Sequence, residues 1–285
     1  MTLQDRRSFI ATLGGGVLAL AGSARAAAAP LWVDGRRHLR RIGIQLYSVK
    51  RQAIADLPGT LAQLAKIGFK EIEFWGTHSK TPSEIRQILD HNGLTSPSVH
   101  IALPTSPDGF SKIFADAKTM GHQWITVASP PFTPATLDEW KRLAGVFNEA
   151  GARVKAAGFH FAYHNHTEPF TRIGDVVPYE LLVRETDPSL VSFEVDVHWA
   201  YTGGADAVDL LRKFPKRIKM LHLKDSSGTP HYTQADVGAG TYPWAKILDA
   251  AATARVQHYF VEHDNPPDEM AFAKTSHDYL AKLEF

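Results

Sequence analysis

Near the middle of the chain, the run FHFAYHNH (159–166) ends in two imidazoles and an amide, His164, Asn165 and His166, with Glu168 two residues further on. Imidazole and carboxylate side chains both ligate divalent transition metals, and imidazole also moves protons near neutral pH. Comparable groups close other apolar runs. Glu73 and Trp75 end one, and His100 sits in another. Glu194, Asp196 and His198 end a third, His222, Lys224 and Asp225 a fourth, Glu262 and Asp264 a fifth. A carboxylate at the end of a buried strand is costly unless it is paired or meets a cation, so Asp196 and Glu262 call for one. Two neutral imidazoles with two carboxylates form a site for Mn²⁺, Zn²⁺, Co²⁺ or Fe²⁺. A single strand-end histidine is more often just hydrogen-bonded. The convergence of several strand ends is what points to a site.

The runs that must position these groups recur eight times, at 42–49, 70–75, 97–103, 124–129, 159–166, 190–199, 217–224 and 257–263. Between them lie segments of helical character. TPSEIRQILDHNG opens with Thr81 as a cap and proline in the first turn, and stops at Gly93. TLDEWKRLAGVFNEAGARVKAAG carries apolar residues at helical spacing. Strand and helix alternating eight times predict an α/β chain folded as a parallel (β/α)8 TIM barrel, with an open doubly wound sheet as the rival. Such barrels place their site at the C-terminal strand ends, where the polar groups gather. On a strand, residues two apart share a face, which pairs His164 with His166, Asp196 with His198, His222 with Lys224, and Glu262 with Asp264. The stretch 225–242 after the seventh run is long enough to be functional, and DVGAGTYPW within it carries two glycines that would let it close over a ligand.

The first residues read differently. Arg6-Arg7-Ser8-Phe9-Ile10 resembles the core of a twin-arginine export signal, followed by an apolar run of about 14 residues, shorter than the roughly 20 that span a bilayer. Ala24-Arg25-Ala26 offers a cleavage site. The expected organisation is a signal peptide at 1–26 and one barrel domain at 27–285, exported to the periplasm, with no stable membrane span in the mature protein. Removing 26 of the 285 residues leaves 259, close to the roughly 250 of such a barrel. A net charge of +1 gives no electrostatic case for nucleic acid, and the absence of cysteine excludes disulfides and thiolate metal sites.

Four pieces together carry a family resemblance: YHNHTEPF on the fifth strand, FEVDVHWA on the sixth, MLHLKD with VGAGTYPW on the seventh, and YFVEHD on the eighth. The chain resembles the xylose isomerase-like TIM barrel superfamily, that of sugar phosphate isomerases and epimerases, as an exported member. The resemblance implies one divalent metal ion held by Asp196, His222 and Glu262, with His164 in the strand-five place; His166 is the alternative there, and Glu168 a third possibility. Many epimerases of the family have a glutamate where this chain has His164, so the two-glutamate mechanism is in question. Asp-x-x-His on strand six is here Asp196-Val197-His198-Trp199, with the histidine one residue early.

The implied chemistry is enolisation next to a sugar carbonyl. His166 and Glu262 are the expected bases, and Lys224 balances oxyanion charge unless it merely pairs with Glu194 or Asp225. His100, His198 and Glu73 are assigned to substrate, and Trp75 and Trp199 to stacking on a sugar ring. The leading expectation is a metal-dependent sugar isomerase or epimerase. The alternative is a periplasmic 3-keto-glycoside lyase or hydratase working by β-elimination, and a third reading is a sugar-binding protein without catalysis. The partner is a small sugar or sugar derivative, not nucleic acid; homo-oligomers are frequent in the family.

Overall fold

Strands of this chain are short and uniformly apolar on their outer face, as a parallel sheet covered by helices requires. In this computed structural model, which describes residues 31–33, 36–104 and 106–285, eight of them form one sheet. They are β1 (Gly43–Gln45), β2 (Glu71–Glu73), β3 (Ser98–Ala102), β4 (Trp124–Ser129), β5 (His160–His164), β6 (Val191–Asp196), β7 (Ile218–Leu223) and β8 (His258–Val261). The order is β2-β1-β8-β7-β6-β5-β4-β3, and every pairing is parallel. Parallel bridges from Glu71 to Thr95 and from Phe74 to Val99 bring the two outer strands together, so the sheet curls into a nearly closed barrel. The expected export segment and its cleavage point lie outside the described residues. Among the described residues no helix is long and apolar enough to cross a membrane.

Eight longer helices cover the barrel: α1 (Leu57–Ile67), α2 (Pro82–His91), α3 (Pro107–Met120), α4 (Leu137–Ala156), α5 (Pro178–Glu185), α6 (Ala207–Lys213), α7 (Trp244–Ala254) and α8 (Glu269–Lys282). Their starts are written in the sequence. Thr81 caps α2 in a reciprocal box with Glu84, and Thr136 caps α4 in the same way with Glu139. The outer faces of the strands pack on the helices through residues such as Phe147, Phe161, Tyr179 and Phe193, all buried. Inside the barrel, Trp124, Ala162, Met220 and Phe260 fill the N-terminal half. The C-terminal half is left to polar side chains.

Two expectations about strand extent are corrected. The first run is a strand only over Gly43–Gln45 and then a 3₁₀ turn, Leu46–Val49. The sixth strand stops at Asp196, because the Asp196 carboxylate accepts the Trp199 backbone N–H at 3.0 Å and caps a short helix, Val197–Thr202. His198 therefore lies on a helix, and the expected same-face pair with Asp196 does not form.

The long segment after β7 is tied down rather than loose. Asp225–Ser226 pairs antiparallel with Gln234–Ala235. The fully buried Asp225 carboxylate accepts the backbone N–H groups of Ser226 (2.8 Å), Gly238 (2.8 Å), Gly240 (3.3 Å) and Tyr242 (3.4 Å), and the Trp244 indole N–H at 2.6 Å. Both glycines are required there. A Cβ at Gly240 would fall 2.1 Å from the Asp225 carboxylate, and Gly238, at φ +90°, would place one 2.3 Å from the Tyr279 ring. An Asp225→Ala substitution strands several buried donors. It is expected to lower stability by about 3 kcal/mol, read as a lower urea midpoint with an unchanged m-value.

Candidate metal centre and substrate pocket

The C-terminal strand ends carry two tiers of polar side chains. In the upper tier, ligand atoms of His164, Asp196, His222 and Glu262, all buried, lie within 4.8 Å of one another. These come from the ends of β5, β6, β7 and β8. His166 is not part of this cluster, and Glu168 is exposed in the following 3₁₀ turn, Glu168–Phe170. Of the alternatives open at strand five, His164 is the one beside the other donors.

The lower tier orients the imidazoles. His222 turns Nδ1 to Glu262 at 2.7 Å and Nε2 to Glu73 at 2.6 Å. His164 uses Nδ1 on Glu194 at 3.1 Å, which leaves its Nε2 as the free ligand atom. Glu194 also accepts from His100 Nε2 at 2.7 Å, and Gln45 donates to Glu73 at 3.0 Å. A carboxylate behind each ligating histidine fixes the ring and its tautomer, the usual support of a metal site. Glu73 and Glu194 are fully buried. Glu73 was expected to meet substrate; instead it lies beneath His222 and does not line the pocket. Glu194 had no role from sequence, although it stands two residues before Asp196 on one strand face, and that spacing was the available signal.

The electrostatics fit a cation. Glu73, Glu194, Asp196 and Glu262 are buried together, and among the described residues Lys224 is the one lysine paired with any of them, bridging Asp196 and Glu262. Burial lifts Asp196 to about 6, and burial together with Glu194 raises Glu73. Burial and the neighbouring His222 hold His164 well below the ordinary histidine range, in the neutral form a metal needs. At His222 burial is outweighed by Glu194, Glu262 and Glu73, which push it well up. One Asp196 oxygen, Oδ2, accepts no hydrogen bond and has only the Lys224 ammonium 3.0 Å away in an ion pair. Buried carboxylates with an unsatisfied oxygen, beside a neutral His164 and a His222 whose proton a bound cation would replace, are a donor set suited to a divalent ion. Glu73→Gln is expected to weaken metal binding about 10–100-fold with little change in fold, measured by competition against a chromogenic chelator.

Above the cluster opens a pocket of about 430 Å³, lined in part by Tyr47, Trp75, His100, His166, Trp199 and Asp264. Trp75 and Trp199 thus stand in its wall, as does His100. His198 does not: it is buried, its Nδ1 meets the Tyr242 hydroxyl at 3.3 Å, and burial together with Lys224 depresses it to about 4. Its assignment to substrate is corrected for the same reason that β6 ends early. Lys224 pairs with neither Glu194 nor Asp225. Its Nζ lies 3.0 Å from Asp196, 2.9 Å from Glu262 and 3.0 Å from Asp264, and 5.0 Å from the centre of the Trp199 ring. Burial opposes its charge, but the three carboxylates outweigh this and raise its pKa, so it remains an ammonium. Sequence reasoning missed Gln234. Its side-chain amide brackets Asp264, donating to the carboxylate and accepting the Asp264 backbone N–H at 2.8 Å. The loop pinned by Asp225 thereby reaches the pocket rim.

His166 differs from all of these. It is exposed to the pocket, and its ring nitrogens make no hydrogen bond among the described residues. Burial at the barrel mouth, then the charge of Lys224, lower its pKa. It is a free neutral base beside a fixed cation.

Fold and site together define a (β/α)8 barrel with a metal-competent polar end. The chain belongs to the xylose isomerase-like TIM barrel family, whose model matches residues 61–283. It is 27% identical over 187 residues to an inosose dehydratase of Lacticaseibacillus casei, a match covering 57% of this chain and 61% of that protein. An inosose dehydratase of Bacillus anthracis is 34% identical over 90 residues, 32% of this chain and 30% of the relative. These matches span less than two thirds of the relatives' length. Among solved structures, a sugar phosphate isomerase/epimerase of Parabacteroides distasonis superposes with a TM-score of 0.74 at 26% identity, covering 85% of this chain and 98% of the other.

Proposed function

We propose that the protein is a metal-assisted dehydratase of an uncharged keto-sugar or keto-cyclitol, removing a proton next to the carbonyl and a hydroxyl one carbon further on. The observation that carries this is His166, the one base in the pocket lining that is neither hydrogen-bonded nor part of the four-donor cluster, set beside a permanent ammonium, Lys224. Epimerisation through an enediolate asks for proton donors and acceptors on both faces of the substrate. Elimination asks for one base and a means of stabilising negative charge. The inosose dehydratase relatives support the same reading, which moves the balance from the isomerase expected first to the lyase held as its alternative.

His164, Asp196, His222 and Glu262 would hold the divalent ion, which when bound supplies Lewis-acid polarisation of the carbonyl. The chain's own residues do the rest. His166 takes the proton from the carbon beside the carbonyl. The electron pair forms the new C=C bond, the bond to the neighbouring hydroxyl breaks, and the proton leaves with that hydroxyl as water. Glu262 is held ionised, burial being outweighed by Lys224 and His222, and would serve as a ligand and charge partner. Trp75 and Trp199 stand in the pocket wall, where they would pack against an uncharged carbohydrate. Lys224, the one lysine or arginine in the pocket lining, already faces three carboxylates, which disfavours a phosphorylated substrate.

The test is to incubate metal-loaded protein with inosose and with 3-keto-glycosides in D₂O. Loss of water, seen by NMR and by absorption of a conjugated ketone, is the expected result. An epimer that has exchanged its proton, with no dehydrated product, would return the assignment to the epimerases. Export to the periplasm by the twin-arginine route is part of the same proposal, resting on Arg6-Arg7 and the apolar run after it. An Arg6→Lys/Arg7→Lys variant should stay in the cytoplasmic fraction; equal export of that variant would remove the claim.

A further inference from the structure

The pocket above the donor cluster is divided in two. Around the closed barrel β1–β4 form one contiguous half and β5–β8 the other. Every carboxylate and ammonium in the pocket lining, Lys224, Glu262 and Asp264, comes from the β5–β8 half, as do His164 and His166. The β1–β4 half is mainly apolar. Tyr47 follows β1, Trp75 follows β2, Ile101 and Ala102 end β3, and Ala128 stands near the end of β4. Its polar members are Ser129 and His100, and the Nε2 of His100 is taken by Glu194 at 2.7 Å. All five apolar residues keep some exposure, so an open apolar shelf faces the metal half.

The shelf is held in place. Tyr47 is one of two large hydrophobic residues exposed among the described residues. The Lys50 ammonium lies 3.9 Å from the centre of its ring and donates to the Asp264 carbonyl at 2.8 Å and to Asn265 Oδ1 at 2.9 Å. Trp75 meets Tyr47 edge-on at 5.3 Å and His78 edge-on at 4.2 Å. His78 and Ser79 have φ of +49° and +59°, a left-handed turn that non-glycine residues rarely adopt and that sites tend to retain for positioning.

We infer that this shelf is a subsite for an apolar ring carried by the substrate, which is then a glycoside of an aromatic aglycone rather than a free sugar or cyclitol. The inference rests on the keto-sugar reading of the metal half. A cyclitol carries oxygen all round its ring, and hydroxyls laid against Ile101, Ala102 and Ala128 would lose water without gaining a partner. An aromatic ring in the same place covers apolar surface and packs against Tyr47 and Trp75. The sugar ring stays over β5–β8, between Trp199 and the donor cluster.

The experiment measures binding rather than turnover, with glycosides that lack the ketone and cannot enolise. Zn²⁺-loaded protein is titrated by calorimetry with phenyl β-D-glucopyranoside, methyl β-D-glucopyranoside and cellobiose. The phenyl glycoside is expected to bind about tenfold or more tighter than the methyl glycoside, and cellobiose no tighter than the methyl glycoside. Tyr47→Ala should remove the phenyl advantage, and Tyr47→Phe, which keeps the ring, should retain it. Equal affinity for the phenyl and methyl glycosides, no measurable binding of the phenyl glycoside, an equal gain from cellobiose, or an undiminished advantage in Tyr47→Ala would overturn the proposal. Should Tyr47→Ala not fold, the three ligands on the parent protein decide. Dehydration of keto-sugars without a phenyl preference would remove the subsite alone. A phenyl preference without dehydration would remove the lyase reading and leave the subsite.

Discussion

Asp196→Asn is expected to lose its metal: affinity falls by more than about a hundredfold, beyond the loss typical of an outer-shell partner. The substitution is chosen because it keeps shape and the Oδ1 acceptor. Asp196 Oδ1 caps the helix Val197–Thr202 through Trp199, so an alanine would also remove a cap and blur the result. The amide instead removes one negative charge from a centre where burial already lifts the carboxyl to about 6. Deprotonated carboxylate is the ligand form, so metal affinity of the parent should rise with pH through that region and the variant should lack this limb. Inductively coupled plasma analysis and chelator competition with Zn²⁺ and Mn²⁺ measure both. Parent-like affinity in Asp196→Asn would mean that the four converging donors are not the metal site.

His166→Gln is the second large effect and separates chemistry from binding. Loss of a positioned base costs about 10²–10⁴ in rate, so dehydration and α-proton exchange should drop by that factor. Metal content should stay at the parent level, since His166 stands outside the donor cluster. The pH profile carries the sign. The neutral imidazole is the active form and predominates above its pKa. Burial and the charge of Lys224 hold that pKa below the ordinary value of 6.5. The parent should therefore keep its rate to lower pH than free imidazole would allow, losing it only on further acidification, and the glutamine variant should lack this limb. A variant with parent kcat would transfer the base to another group and remove the main support for elimination.

Much of this was legible in one dimension. Alternating apolar runs and capped amphipathic segments specify strand and helix locally. Thr81 with Glu84 and Thr136 with Glu139 mark helix starts before any tertiary contact exists. Period-two spacing brings Glu194 and Asp196 to one face, the barrel's rule that function sits at the C-terminal ends gathers the strand-end polar groups, and the family resemblance is what singled out His164, Asp196, His222 and Glu262 among them. What spacing misjudged was where a strand stops. Asp196 ends its strand by bonding to Trp199, which takes His198 out of the site.

The sequence by itself therefore determined the eight-fold alternation, the helix boundaries and the types of group at the strand ends, because these depend on local propensity and periodicity. Only the tertiary structure decided which groups meet. The Glu73 and His222 pair is 149 residues apart in the chain, the His164 and Glu194 pair 30, and the Gln234 and Asp264 pair 30. Whether a carboxylate orients an imidazole, binds an ammonium or meets substrate depends on closing the barrel, since depth along its axis sets each group's solvent and neighbours. That closure put Glu73 beneath His222 and left His166 free in the pocket.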